Sequence, residues 1–109
     1  MDRRSGVDMS KITESANGED CQVRLPGVCS FNPQQTVWAH ANGLAAGKGK
    51  GLKSPDALGA YACYSCHMVI DGQMPAPQGM TRQDVLLAFH EAHQRSFRKL
   101  LEKGLVKCA

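Results

Sequence analysis

The segment Cys63-Tyr64-Ser65-Cys66-His67 contains two cysteines separated by two residues. This spacing lets both sulfurs reach one ion at about 2.3 Å, as in a zinc knuckle. A second pair, Cys21 and Cys29, is separated by seven residues, which is wider than usual. Pro26-Gly27 lies between them and predicts a turn that brings Cys29 back towards Cys21. The sequence therefore predicts a structural zinc site formed by four thiolates.

The composition also favours a metal. The chain has 109 residues, enough for one domain, and Leu, Ile, Val and Phe together number only 21 of them. A core this thin needs a metal, disulfides or a partner. The chain has no apolar run long enough to span a membrane, and residues 1–20 lack the apolar part of a secretory signal. We therefore expect a cytoplasmic protein, whose thiols stay reduced and favour metal over disulfide.

Two alternatives to the four-cysteine site stay open at this point. In the first, the Cys21–Cys29 pair is incidental and only Cys63 and Cys66 bind the metal. In the second, His67 replaces one cysteine as a zinc ligand. The fifth cysteine, Cys108, has no cysteine near it in the sequence and is interpreted as a free thiol.

Charge is unevenly distributed along the chain, whose net charge is +3. Residues 21–55 carry no acidic residue and four basic ones, which are Arg24, Lys48, Lys50 and Lys53. A basic, acid-free surface attracts the phosphate backbone of DNA. The alternative is that these four cations simply lie on a solvated loop, since residues 41–55 also contain four glycines and predict a long loop.

The chain is expected to be one domain over residues 1–109, with three parts. A flexible segment over 1–18 precedes a metal core over 19–72, and a C-terminal helix covers 81–103. Thr81 and Asp84 form a capping-box pattern at the start of that helix. Shorter elements are predicted as well: a helix over 10–16, strands at 23–25, 36–40 and 105–107, and a helix over 65–71. One face of the C-terminal helix is apolar, comprising Val85, Leu86, Phe89, Ala92, Phe97, Leu100 and Leu101.

Histidines supply the candidate chemistry. His40 ends the strand at 36–40, and His67 lies on the short helix with Asp71 four residues later on the same face. A ββα-metal nuclease needs a strand histidine that takes a proton from water and a helix histidine that holds a divalent cation. The alternatives are an ordinary hydrogen-bonded His40 and a zinc-ligating His67. His93, within the apolar face of the last helix, is interpreted as a hydrogen-bonded core histidine rather than a ligand. His90 and His93 lack the i, i+4 spacing of zinc proteases.

The nine-residue segment Cys21–Cys29, the strand 36–40 and the segment 62–71 together resemble the YbcO-like family of small, prophage-encoded predicted nucleases. That family is similar to HNH (ββα-metal) endonucleases with a cysteine zinc site. The resemblance is close over about residues 17–72 and looser over the last helix. It implies a small α+β fold, with a zinc-stapled HNH-like core and a C-terminal helix.

The resemblance also implies roles for individual residues. Cys21, Cys29, Cys63 and Cys66 match the zinc ligands, His40 the general base, and His67 the ligand of a catalytic Mg²⁺ or Mn²⁺. Asp56 is the candidate for the middle HNH residue, which orients the base. The position before the base, where many HNH enzymes have an aspartate ligand, is Ala39 here. The catalytic ion would then have His67 with Asp56, Asp71 or His93.

The resulting hypothesis is a metal-dependent endonuclease that hydrolyses DNA phosphodiester bonds, with Arg24, Lys48, Lys50 and Lys53 on the phosphates. One active centre per chain nicks one strand, so double-strand cleavage would need a homodimer. Ala39 favours a first alternative, a zinc-stapled nucleic-acid-binding module without catalysis. A second alternative is a structural or protein-binding zinc domain, which predicts no DNA affinity at low salt.

Overall fold

The structure is a computed structural model that describes residues 11–41 and 57–106. It is a small α+β arrangement in which a two-stranded sheet is followed by two helices. Residues 11–14 form one helical turn and Pro33–Gln35 a short 3-10 turn, which leads into the first strand. The labelled elements are β1 (Thr36–His40), β2 (Gly59–Cys63), α1 (Tyr64–Ile70) and α2 (Arg82–Glu102).

The two strands form an antiparallel pair in a single register. Thr36 lies opposite Cys63, Trp38 opposite Tyr61, and His40 opposite Gly59. The two central rings meet edge to face with centroids 5.1 Å apart, a favourable geometry for an aromatic cross-strand pair. The register therefore fixes the cysteine end of β2 against the start of β1 and the His40 end of β1 against the start of β2.

The outer edge of β2 is covered, which explains why every residue of this strand is buried. The Tyr61 N–H donates to Ser96 Oγ on α2 at 3.0 Å, and the Tyr61 carbonyl accepts from the Gln22 N–H at 2.8 Å. Ser96 Oγ in turn donates to the Ala92 carbonyl at 2.7 Å. These bonds satisfy backbone groups that would otherwise be orphaned inside the protein.

Small residues on the strands let the helices approach the sheet. Ala39, Ala60 and Ala62 are fully buried and belong to one apolar cluster with Val69 of α1 and Val85 of α2. A second apolar cluster forms around the central aromatic pair and comprises Ile12, Ala16, Trp38, Tyr61 and Leu100. The thin supply of large aliphatic residues is thus divided between two small clusters.

The long helix α2 begins and ends where the sequence predicts. Thr81 Oγ1 accepts from the Asp84 N–H at 3.1 Å, and the Asp84 carboxylate accepts from the Thr81 N–H at 2.9 Å, which is a complete capping box. At the other end, Gly104 has a φ of +76° and Leu105 N–H donates to the Leu100 carbonyl at 2.9 Å. This is a Schellman termination.

Four details of the sequence prediction are wrong. Residues 23–25 do not form a strand, because Arg24 has a φ of +52°, which an extended strand excludes. Residues 105–106 are part of the helix termination rather than a closing strand. Residues 11–18, predicted to be flexible, bury Ile12 and Ala16 in the second cluster. Leu86, expected on the apolar face of α2, is 47% exposed.

Gly59 is required by its surroundings. A Cβ added there would lie 2.5 Å from the Ala39 carbonyl oxygen and 2.8 Å from the Trp38 indole nitrogen. Since the carbonyl belongs to the paired strand and cannot move aside alone, we expect Gly59→Ala to lower the free energy of unfolding by about 1–3 kcal/mol, measured by urea denaturation.

Gly104→Ala is the matched control for this prediction. Its added Cβ meets nothing within 4 Å, so its cost is only that of a left-handed alanine, about 1 kcal/mol. A Gly59→Ala protein as stable as the wild type would show that the sheet relaxes around the methyl group.

Within the two described ranges, no helix combines the length and apolar character that crossing a bilayer requires.

Candidate metal centre and surrounding histidines

Four cysteines from two distant parts of the chain meet at the junction of β2 and α1. Cys21 and Cys29 come from the loop before β1, Cys63 is the last residue of β2, and Cys66 lies in the first turn of α1. Their four sulfurs all lie within 4.8 Å of one another. The structure therefore brings together the four residues predicted as zinc ligands, at a distance where one metal ion can bind them all.

The arrangement fits a tetrahedral ion. Four sulfurs at about 2.3 Å from one zinc ion lie about 3.8 Å from each other, and the Cys29 and Cys63 sulfurs are 3.9 Å apart. Three of the four side chains are buried, and Cys29 is partly exposed. A closed set of four sulfur donors with no water position is typical of structural zinc sites rather than catalytic ones.

Backbone N–H groups point at the sulfurs, as expected around thiolates. Cys63 Sγ accepts from the N–H groups of Ser30 and Cys66, each at 3.4 Å. Cys29 Sγ accepts from Phe31 N–H at 3.4 Å, and Cys21 Sγ from Arg24 N–H at 3.5 Å. Hydrogen bonds of this kind favour the charged form of sulfur.

Two residues adopt left-handed backbone conformations to make these bonds. Arg24 has a φ of +52° and Phe31 a φ of +55°, which side chains other than glycine and asparagine rarely adopt. Each of the two directs its N–H at the sulfur of the cysteine two or three residues earlier. The sequence gives no sign of this conformation, since neither residue is a typical left-handed residue.

Without an ion, the four thiols do not all ionise. Hydrogen bonding from the Cys66 thiol lowers the pKa of Cys21 to about 4, although burial opposes this effect. The same hydrogen bond, followed by burial, raises the pKa of Cys66. Burial raises the pKa of Cys29 to about 11. A divalent cation replaces the protons that remain, so metal binding must release protons and weaken as the pH falls.

His67 is next to this centre but does not belong to it. It follows Cys66 on α1, and its Nε2 lies 3.1 Å from the carboxylate of Asp71, one turn later. Both side chains are 31% exposed. The cysteines complete the sulfur cluster without His67, which leaves the imidazole and the carboxylate as a separate pair of nitrogen and oxygen donors. Such donors suit divalent cations that sulfur sites do not favour.

His40 lies at the opposite end of the sheet from the cysteines, as the last residue of β1, and is half-buried. The preceding residue, Ala39, is completely buried in the cluster that contains Val69 of α1. Because side chains alternate along a strand, His40 is turned to the same side as Trp38. The side chains of Ala39 and His40 therefore face opposite sides of the sheet.

His93 is hydrogen-bonded, in agreement with the sequence interpretation. Its Nδ1 lies 2.7 Å from the Gly59 carbonyl oxygen, and its ring contacts Phe97 with centroids 5.9 Å apart. His90, one turn earlier on α2, is exposed.

Arg24 is the predicted phosphate-binding residue that the structure describes. Its side chain is exposed overall and lies next to the metal centre, where Nε donates to the Cys21 carbonyl at 3.0 Å. The other predicted residues lie outside the described ranges: Lys48, Lys50, Lys53, Asp56 and Cys108.

Two arginines that the sequence did not single out hold the site together. Arg82, at the start of α2, donates to the last carbonyls of α1, those of Val69 and Ile70, the former at 2.8 Å. Arg95 donates to the Gln22 carbonyl at 2.6 Å, one residue after Cys21. The helical pattern in the sequence places Arg95 on the polar face of the helix. It does not predict the hydrogen bond to Gln22, because the two residues are 73 positions apart.

Comparison with known proteins identifies the family. The family model described as "Putative nuclease YbcO" matches residues 10–105, which include both cysteine pairs, the sheet and α2. The chain belongs to the YbcO family. Two relatives carry that same name, one from Escherichia coli strain K12 and one from Enterobacteria phage 82, and each is 44% identical over 63 residues. Those 63 residues are 58% of this chain and 65% of each relative, so the match spans just under two thirds of the relatives' length.

A solved structure shares the fold of this YbcO-family chain. It is titled "Structure of a putative bacteriophage protein from Escherichia coli str. K-12 substr. MG1655". The superposition has a TM-score of 0.68 at 30% sequence identity and covers 84% of this chain and 98% of the other. The relatives come from a bacterium and a phage, in line with the prophage origin that the resemblance implies.

Proposed function

We propose that this YbcO-family chain is a metal-dependent endonuclease that hydrolyses phosphodiester bonds in DNA, with a structural zinc ion on the four cysteines. The observation that carries the proposal is that the region matched by the nuclease family model contains a strand–strand–helix unit whose helix presents His67 beside Asp71. This order of elements supports the HNH-like, ββα-metal core that the family resemblance implies.

In this proposal, zinc has no part in the chemistry. Cys21, Cys29, Cys63 and Cys66 hold it, and its role is to lock α1 onto the end of β2. The buried sulfurs and their N–H donors support this role. Because the two apolar clusters are small, the fold needs the additional stability that a bound zinc ion supplies.

His67, with Asp71 as its neighbour, would hold the catalytic Mg²⁺ or Mn²⁺. When bound, such a cation polarises the scissile phosphate and stabilises the leaving oxygen. The imidazole of His40 would accept the proton of the attacking water, which requires its neutral form. Arg24 would contact a phosphate beside the metal centre, and Lys48, Lys50, Lys53 and Asp56 keep their proposed roles in phosphate binding and in orienting the base.

Ala39 supports a second candidate function, a nucleic-acid-binding module without catalysis. The Ala39 methyl group is completely buried in the apolar cluster that also contains Val69 of α1, so the residue before His40 offers no ligand. Strand alternation turns the His40 side chain to the opposite side of the sheet from Ala39. The catalytic cation would therefore receive no ligand from position 39.

A plasmid-nicking assay tests the proposed function. The protein is first loaded with one zinc ion per chain, verified by native mass spectrometry, and then incubated with supercoiled DNA with and without Mg²⁺ or Mn²⁺. We expect nicked circles only with the added cation, and linear DNA only at concentrations where the protein dimerises. DNA binding that weakens steeply with salt, without cleavage under any cation, would establish the non-catalytic module. The absence of binding at low salt would indicate a purely structural zinc domain.

A further inference from the structure

His93 connects α2 to the end of the sheet that carries His40. The helix runs along the outer edge of β2, where Ser96 binds the Tyr61 N–H and His93 Nδ1 lies 2.7 Å from the Gly59 carbonyl oxygen. A carbonyl oxygen only accepts hydrogen bonds, so Nδ1 must carry the proton. The ring is half-buried and rests against Phe97, which fixes its orientation.

The residue that His93 holds is the register partner of His40. Gly59 and His40 lie directly opposite each other, and one residue further the Ala41 N–H donates to the Leu58 carbonyl at 2.7 Å. This is the outermost strand-to-strand bond of the described hairpin. A donor at Gly59 therefore fixes the position of β2 at the level where β1 presents His40.

We propose that His93 is a positioning residue that holds the His40 end of the sheet in place through the Gly59 carbonyl. Its effect on catalysis rests on the proposed function, because only there is His40 the base. In this role His93 acts through the backbone of Gly59. From its place on α2, His93 would support the base in addition to Asp56, the residue to which the resemblance assigns the orienting role.

The competing role is that of a ligand. With the proton on Nδ1, the neutral ring of His93 has a lone pair on Nε2, which is the form in which histidines bind metals. Substitution of His93 by asparagine or by glutamine distinguishes the two roles. The amide nitrogen of asparagine occupies about the place of Nδ1 and retains the donor to Gly59, whereas the amide of glutamine reaches the place of Nε2.

Amide hydrogen exchange tests the positioning role without any activity. In the zinc-loaded protein, we expect His93→Ala and His93→Gln to accelerate exchange of the Ala41 N–H about fivefold to tenfold, since the sheet end opens more often. His93→Asn should exchange at the wild-type rate. The Tyr61 N–H, held by Ser96, is the internal control and should be unaffected in all variants. Equal exchange at Ala41 in the wild type and in both His93→Ala and His93→Gln would overturn the proposal.

Cleavage kinetics test the catalytic consequence. His93→Gln should lower kcat about tenfold or more with the KM for DNA unchanged, and His93→Asn should restore it, because placement of the base acts on the chemical step. His93→Asn as inactive as His93→Gln would overturn the positioning role in favour of a ligating Nε2. If the wild type cleaves no DNA, the proposed function fails, while the exchange result still decides whether His93 holds the sheet end.

Discussion

Cys66→Ala is expected to abolish the cooperatively folded state of the protein at 37 °C. Cys66 is completely buried, and its sulfur is one of four that lie within 4.8 Å of one another. Structural zinc sites of this kind contribute about 10–16 kcal/mol of apparent binding free energy, while whole domains have unfolding free energies of only about 5–15 kcal/mol. Because the apolar clusters are small, the loss of one ligand removes most of what keeps the chain folded.

Two measurements check this expectation. Native mass spectrometry should find one zinc ion per chain in the wild type and none in the variant. Circular dichroism should show a cooperative thermal transition only in the wild type, which a strong chelator should remove reversibly. Alanine is chosen because it removes the ligand without burying a hydroxyl group.

Cys108→Ala is the matched control, since Cys108 lies outside the described ranges and is expected to be a free thiol. That variant should keep one zinc ion and the wild-type transition. A Cys66→Ala protein with a full complement of zinc and an unchanged transition would contradict the four-cysteine site.

His40→Ala is expected to lower the rate of DNA cleavage by about 10²–10⁴-fold, the usual effect of removing a general base. The variant should still bind one zinc ion and should bind DNA with near wild-type affinity, because neither the cysteines nor the basic residues are changed. The measurement is single-turnover nicking of plasmid DNA with saturating Mg²⁺ or Mn²⁺, which reports the chemical step rather than product release.

His90→Ala is the control for the loss of an imidazole. His90 lies exposed on α2, so its removal should leave the cleavage rate unchanged. Cleavage that persists at the wild-type rate in His40→Ala would exclude His40 as the base.

Local signals account for what the sequence predicted correctly. The capping box of Thr81 and Asp84 depends on residues three apart, and the knuckle of Cys63 and Cys66 on one turn of α1. The strand Thr36–His40 is β-branched and aromatic at its centre. In each case the residues that give the signal lie within a few positions of one another, so a short window of sequence contains them.

The features that the sequence did not reveal depend on distant partners. The strand Gly59–Cys63 has three small residues and a weak strand pattern, and it forms because Tyr61 pairs with Trp38 and helices cover its edge and faces. His93 finds its acceptor 34 residues away, and Arg82 reaches back to α1. Left-handed Arg24 and Phe31 are imposed by the sulfurs that their N–H groups bind.

The hydrogen bond from the Ala41 N–H to the Leu58 carbonyl joins the two strands at the point where residues 42–56 connect them. The four sulfurs and the two apolar clusters are formed by residues of the described ranges. Doubling the length of a connection costs only about 0.6 kcal/mol of closure entropy. We therefore expect a longer connection between the two strands to leave the folding free energy of the described scaffold almost unchanged.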